Sequence, residues 1–281
     1  MKGHRPSAGS LVALALSVSL LALFVLPIVA LVTTAPLNAF ARAFADPQAR
    51  LSVAFTLYAS AVALAISLLL GVPLGYLLAR RSFLGKSVVE SVVGLPVVVP
   101  HLVAGLALLF LFSPRTPVGS LFRWAGVPVF GTFLGVVLVM TYVSASYTVL
   151  ASTLAFRAVD GRLLESARCL GATAPTAFAT VTFPLALRGI VAGALLTWAR
   201  SVSEIGAFLI LAYTVYPGPG YDGPVTSPIS VYVYNLYQIG DLGETAAVAS
   251  LFVLVAFAIF LTVRWVERAG ILPWGPAELG R

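Results

Sequence analysis

Charged residues are scarce in this chain, and their scarcity restricts the surroundings in which it can fold. Asp, Glu, Lys and Arg make up 10% of the 281 residues, whereas apolar residues make up 60%. An ordinary soluble domain carries about 25% charged residues. A chain with so few charges cannot be solvated on all sides, which excludes a water-soluble domain of the usual kind.

Cysteine and histidine are nearly absent as well. The single cysteine, Cys169, excludes an intrachain disulfide, and the two histidines, His4 and His101, lie far apart in the sequence. No Cys/His spacing fits a metal site, and we expect His101 to be a buried, hydrogen-bonded histidine in an apolar run rather than a ligand. The G-x-x-x-x-G-K-[ST] phosphate loop is also missing. We therefore predict no metal, no cofactor, no catalytic residue and no ATPase site in this chain.

Long apolar runs are what the sequence has instead, and several exceed the ~20 residues that a helix needs to cross a bilayer. The first run is longer than the apolar region of a secretory signal, about 7 to 15 residues, which favours a retained helix. The predicted fold class is an all-α integral membrane protein, with residues 1–281 as a single transmembrane domain. Its six predicted transmembrane helices are 11–36, 53–79, 88–112, 130–156, 184–213 and 245–263.

The positive charges divide unequally if the six spans are threaded with the amino terminus in the cytoplasm. Twelve of the 17 Lys and Arg residues then fall in inner segments, among them Lys2, Arg5 and Arg281, and four fall in outer segments. Lys and Arg near span ends resist translocation, so we predict a plasma-membrane protein with both termini cytoplasmic. Clusters between spans, rather than one basic face, argue against nucleic-acid binding.

Proline and glycine recur in the third predicted span, at Gly94, Pro96, Pro100 and Gly105. Neighbouring helices can satisfy the backbone groups that proline frees, and small residues permit close packing. We expect simple kinks and packing positions here, rather than a broken helix that lines a pathway.

The segment 157–183, between the fourth and fifth spans, is polar yet patterned like short helices. Asp160 is placed to cap a first helix whose apolar positions share one face, and Gly171 is suited to end it. Pro175 suits the first turn of a second helix. The pattern predicts two short helices that meet at a glycine and form a knob on the cytoplasmic surface.

The same segment resembles a known family. Glu165, Ser166 and Ala167, then Gly171, then Val181, Phe183 and Pro184 follow the order and spacing of the Glu-Ala-Ala, Gly, Ile-x-Leu-Pro loop of permease subunits of ABC importers. The resemblance extends over 53–263 and implies that 157–183 is the loop that couples the permease to its ATPase. The coupling residues that it implies are Leu164, Glu165, Ser166, Ala167, Arg168, Leu170, Gly171 and Pro184.

The resemblance also implies partners. In this family a cytoplasmic ATPase subunit holds the coupling loop in a groove, so that closure of the ATPase dimer moves the attached spans as rigid bodies. Six spans are half of the usual pathway, which implies a second permease copy in a homodimer surrounded by membrane lipid. An external solute-binding protein is expected to deliver the solute.

Arg200 and Glu204 are charges within the fifth predicted span, one helical turn apart. Charges at that depth cost at least ~2.5 kcal/mol unless paired or hydrated, so both are expected to face protein or water. Two interpretations stay open, a structural salt bridge and a role in the gate or pathway. If they pair, exchanging the two charges should be less harmful than either single change. The segment 199–207, with Ser203 and Gly206, resembles permeases for molybdate and tungstate, and more loosely those for sulfate and thiosulfate.

The outer loop 214–243 also has two interpretations. Tyr232, Tyr234 and Tyr237 are suited either to anchor a binding protein or to mark the membrane interface. For the whole chain, the alternatives to a molybdate or tungstate permease are a permease for another solute, such as ferric iron or a polyamine, or a gradient-driven secondary transporter. The coupling loop favours the permease. A secondary transporter often has internal repeats, and the sequence shows none.

Overall fold

The computed structural model describes residues 8–268, and most of them are helical. Lys2, His4, Arg5 and Arg281, which enter the predictions above, lie outside the described residues. A π-helical turn, Phe178–Thr182, joins the helices Ala174–Ala177 and Phe183–Val202. The helices are α1 (Ala8–Thr34), α2 (Leu37–Ala45), α3 (Pro47–Arg80), α4 (Lys86–Val98), α5 (His101–Phe112), α6 (Pro117–Trp124), α7 (Phe133–Ala158), α8 (Gly161–Cys169), α9 (Ala174–Ala177), α10 (Phe183–Val202), α11 (Phe208–Leu211), α12 (Ile229–Gln238) and α13 (Leu242–Arg268).

The predicted all-α membrane fold is confirmed. Within residues 8–268 five helical segments are long and apolar enough to cross a membrane, and a bent pair of helices makes a sixth if the pair is taken as one span. The five segments are Gly9–Thr34, Pro47–Arg80, Phe133–Ala158, Ala174–Val202 and Leu242–Trp265, and the bent pair is α4 with α5. The described residues contain isolated β-bridges but no strand.

The centre of the bundle is α7, which packs against α3 on one side and α10 on the other. In the most apolar stretch of α7, 61% of the residues are buried, whereas no residue is buried in the most apolar stretch of α1. Small residues allow the close approach: a Cβ on Gly75 would lie 2.7 Å from the Ser152 Cβ, and one on Gly189 would lie 2.6 Å from the Ala155 Cβ. Such packing of small residues is how helices associate inside a bilayer.

Polar side chains also join the three central helices. The buried hydroxyls of Thr148 and Thr197 lie 2.7 Å apart, and the Trp198 indole Nε1 donates a hydrogen bond to Ser60 Oγ at 3.1 Å. An unpaired polar group is costly in hydrocarbon, so these bonds hold the helices in a defined register.

The third predicted span, 88–112, is not one helix, and the expectation of simple kinks was wrong. The chain bends by 115° between α4 and α5. Pro100 has no amide hydrogen, and its ring disfavours a helical conformation at Val99, whose backbone is extended (φ −66°, ψ 128°). Pro96 lies inside α4 without ending it.

The fifth predicted span, 184–213, is also interrupted. Its helix α10 ends at Val202, and the chain resumes helical structure only in the four-residue α11. Glu204 therefore lies beyond the helix end rather than within a continuous span. The apolar residues on both sides of the interruption are what made this segment resemble one helix.

The start of the chain contains a short helix that was not predicted from the sequence. Between α1 and α3 lies α2, which buries Ala39 and Ala43 and leaves Phe44 exposed. The Asp46 carboxylate accepts the backbone N–H groups of Gln48 and Ala49 and so begins α3 six residues earlier than predicted.

Candidate functional site

The knob formed by α8 and α9 has the predicted construction. Asp160 caps α8 by accepting the Arg162 N–H at 2.9 Å. Gly171 follows with φ +89°, a conformation that residues with a side chain rarely adopt. Pro175 lies in the first turn of α9. The prediction of two short helices that meet at a glycine is confirmed.

The knob is almost entirely exposed, and α8 has no buried residue. Leu170 is 89% exposed and Leu163 is 47% exposed. Leu164 is different, because it packs against a buried cluster that includes Phe156 and Ile190. Of the apolar side chains predicted to contact a partner, Leu164 therefore anchors the knob to its own bundle, and Leu170 is free to contact another protein.

The remaining predicted coupling residues have the exposure that contact with another protein requires, with two exceptions. Glu165, Ser166, Arg168 and Gly171 are exposed, whereas Ala167 is partly buried. Pro184 is also partly buried and lies in the first turn of α10, beyond the knob.

Two contacts attach the knob firmly to the spans. Arg80, at the end of α3, donates from Nη2 to the Val159 carbonyl oxygen at 2.9 Å, just before α8 begins. The Phe178 ring meets the Tyr76 ring edge to face, with centroids 4.9 Å apart. Because the π turn runs directly into α10, no flexible linker separates the knob from this span.

The second candidate site lies where the two interrupted spans meet, and Glu204 is its centre. This side chain is fully buried. Its Oε2 accepts a hydrogen bond from Arg200 Nη2 at 2.7 Å and lies 2.9 Å from His101 Nδ1, while its Oε1 accepts the Ala207 N–H at 2.8 Å. The expected pairing of Arg200 and Glu204 is therefore present, although the two residues do not share a continuous helix.

His101 belongs to this site, and the expectation that it would be buried was wrong. Its side chain is 45% exposed, and it begins α5 directly after the break at Pro100. Arg200 Nη2 lies 2.9 Å from His101 Nε2. The same Arg200 Nη2 lies 2.6 Å from His101 Nδ1, so this ring nitrogen is next to both the guanidinium and the Glu204 carboxylate. The missed signal was a polar side chain directly after a proline in an apolar run.

Two glycines permit the contact between the interrupted spans. A Cβ on Gly206 would lie 2.9 Å from the His101 Cβ, and one on Gly105 would lie 2.7 Å from the Ala207 Cα. Ser203, also predicted for this site, donates to the Arg200 carbonyl oxygen at 3.1 Å, whereas the Glu204 carboxylate is bound by Arg200, His101 and Ala207. We call Arg200, Glu204 and His101 the junction cluster.

The loop between α11 and α13 covers the junction cluster from one side. The Ser230 hydroxyl of α12 donates to the Glu204 carbonyl oxygen at 2.5 Å. The Tyr232 hydroxyl donates to the Asp46 carboxylate, which ties α12 to the start of α3. Burial raises the pKa of Tyr232, and this hydrogen bond raises it further. Tyr237 is 57% exposed, so it can serve either role predicted for this loop.

Comparisons with known proteins identify the family. Residues 71–269 match the model of the binding-protein-dependent transport system inner membrane component. The chain is 33% identical over 234 residues to the molybdate/tungstate transport system permease protein WtpB of Pyrococcus furiosus, covering 83% of this chain and 84% of that one. It is 34% identical over 226 residues to the molybdenum transport system permease protein ModB of Escherichia coli K12, covering 79% and 95%.

A solved structure shares the fold. A subunit of a bacterial ABC transporter that imports the acidic polysaccharide alginate superposes with a TM-score of 0.70 at 20% identity, covering 92% of this chain and 95% of that one. The fold, the matched region and the identity to several permeases agree with the resemblance seen at the coupling loop. The chain belongs to the family of binding-protein-dependent inner membrane transport components and is a multi-pass permease subunit of an ABC importer.

Proposed function

We propose that this permease carries molybdate or tungstate. The observation that supports the proposal is the identity to permeases named for these oxyanions, which reaches 38% over 210 residues for WtpB of Thermococcus kodakarensis. A probable sulfate permease of Zygnema circumcarinatum is also similar, at 28% identity. Sulfate is therefore the competitor to test first.

The proposed partners follow from the exposed surfaces and the family. The knob of α8 and α9 docks on a separate ATPase subunit, with Leu170 as its free apolar side chain and Arg168 as an ion-pair partner. A second copy of the permease completes the pathway, and an external binding protein delivers the oxyanion. The knob then faces the cytoplasm, as does the amino terminus.

The junction cluster serves as a latch in this proposal. The Arg200 guanidinium is already neutralised by Glu204, so it is not a free ligand for an anion. Instead, the cluster joins the break in one span to the end of another by hydrogen bonds between side chains, and such bonds can open without unfolding a helix. His101, exposed on one side, is the member that solvent or a passing solute reaches first.

Reconstitution in liposomes tests the function. The chain is combined with its neighbouring ATPase and binding protein, and uptake of tungstate, molybdate and sulfate is measured with and without ATP. ATP-dependent uptake of tungstate or molybdate in excess of sulfate is expected. Preferred uptake of sulfate would refute the substrate, and uptake without the ATPase would refute the coupled mechanism.

A further inference from the structure

An apolar groove lies between two spans and shares no residue with either candidate site. It encloses about 270 Å³ and is lined by α2, α3 and α13. Along α3 the lining extends from Ala49 to Leu57, about 12 Å, and along α13 it extends from Val248 to Val255, about 10 Å. The groove residues are Ala43, Phe44, Ala49, Arg50, Val53, Ala54, Leu57, Val248, Leu251 and Val255.

One end of the groove carries a positive charge. Arg50 is the only charged residue among those that line it, and it lies in the first turn of α3, where the span begins. The neighbouring carboxylate, Asp46, accepts two backbone N–H groups and the Tyr232 hydroxyl. Within residues 8–268 no ion pair forms between Arg50 and an acidic side chain.

We propose that this groove binds one acyl chain of an anionic phospholipid, with the headgroup phosphate on Arg50. The groove offers apolar walls along the depth of the bilayer and a guanidinium at the end of the span, which is the order of groups in a phospholipid. A guanidinium suits phosphate because it donates in a planar fork. Each buried methylene of the chain adds favourable transfer energy.

The charge favours a lipid over a protein occupant. A second copy of the chain seated in this groove would have to bring a carboxylate to Arg50 or bury the guanidinium unpaired, and either is expensive beside hydrocarbon. The bilayer supplies the phosphate and the acyl chain together. The site needs only that α3 and α13 span the membrane, so it does not rest on the identity of the transported solute.

Native mass spectrometry tests the site. The full chain is incubated with dioleoyl-phosphatidylglycerol or dioleoyl-phosphatidylcholine and then released from detergent, and the lipid that it retains is measured. The unmodified chain should retain phosphatidylglycerol about fivefold more than phosphatidylcholine, since a basic residue near the surface contributes on that scale. Arg50→Gln should bring the ratio close to one. Ala54→Trp, at an exposed position in the groove, should lower the retention of both lipids.

Matched changes elsewhere serve as controls. Arg123→Gln removes an exposed arginine from α6, and Ala61→Trp adds a ring on α3 two turns beyond Ala54. Both should leave lipid retention unchanged. Equal retention of the two lipids by the unmodified chain would overturn the proposal, as would full retention by both groove variants. Efficient disulfide formation between copies carrying Phe44→Cys in a Cys169→Ser background would show that a second copy occupies the groove instead.

Discussion

Replacement of Glu204 by glutamine removes the charge at the centre of the junction cluster and keeps the shape of the side chain. The new amide oxygen can still accept the Ala207 N–H, but the amide nitrogen cannot accept from Arg200 or His101. Removing one partner from a buried ion pair costs about 3 to 5 kcal/mol. We expect about 3 kcal/mol for Glu204→Gln and about 5 kcal/mol for Glu204→Ala, which also strands the backbone N–H. His101 adds little, because it is half exposed.

A double-mutant cycle isolates the ion pair. Arg200→Met alone leaves the buried carboxylate without its cation, whereas Arg200→Met with Glu204→Gln leaves neither charge. The double variant should be about 2 to 3 kcal/mol more stable than the sum of the single effects predicts, as measured by titrating SDS into detergent micelles. Additivity within about 0.5 kcal/mol would refute the pairing. Exchanging the two charges is no longer expected to rescue stability, because an arginine at position 204 cannot accept the Ala207 N–H.

Three further changes test other parts of the structure. Gly171→Leu should abolish ATP-driven uptake while membrane insertion persists. The control is Gly85→Leu, which imposes the same backbone strain outside the knob (φ +84° at Gly85, +89° at Gly171) and should reduce uptake far less. Equal losses of uptake in the two variants would contradict a coupling role for the knob. Gly206→Val should destabilise the chain by about 1 to 3 kcal/mol through overpacking against the first turn of α5, measured by the same SDS titration. Tyr232→Phe should cost about 1 kcal/mol, because it removes the bond to Asp46. Because the pKa of Tyr232 is raised in the folded state, the stability that its protonated hydroxyl contributes is complete below pH ~10 and is lost at higher pH. The unmodified chain should therefore lose more stability than Tyr232→Phe in alkali.

The sequence predicted most of what depends on local chemistry. Asp160, Gly171 and Pro175 act through the backbone within a few residues of themselves, so their types and spacing were sufficient to predict the knob. The spans were predicted for the same reason, since hydropathy averages over a continuous segment. Such features need no knowledge of what packs against them.

Long-range geometry accounts for what the sequence did not predict. Apolar residues lie on both sides of Pro100 and of Glu204, so two interrupted spans resembled continuous ones. The position of His101 beside Glu204 depends on a contact between residues about one hundred positions apart, and no local pattern encodes it. The small helix α2 was missed because Arg42 interrupts its apolar pattern, and its burial depends on packing against α13.

The helix α10 connects the two candidate sites. One end continues through the π turn into the knob, and Arg200 lies near the other end, about 25 Å from Phe183 along the helix. A helix packed along its length against α7 moves largely as a rigid body, so a displacement of the knob reaches Arg200 without an intermediate element. Beyond Arg200 the chain leaves the helix, and the Arg200 guanidinium and the Glu204 carboxylate both contact His101 at the start of α5. In the proposed mechanism, motion imposed at the knob is therefore resisted at the junction cluster, which is where a latch between the two spans would act.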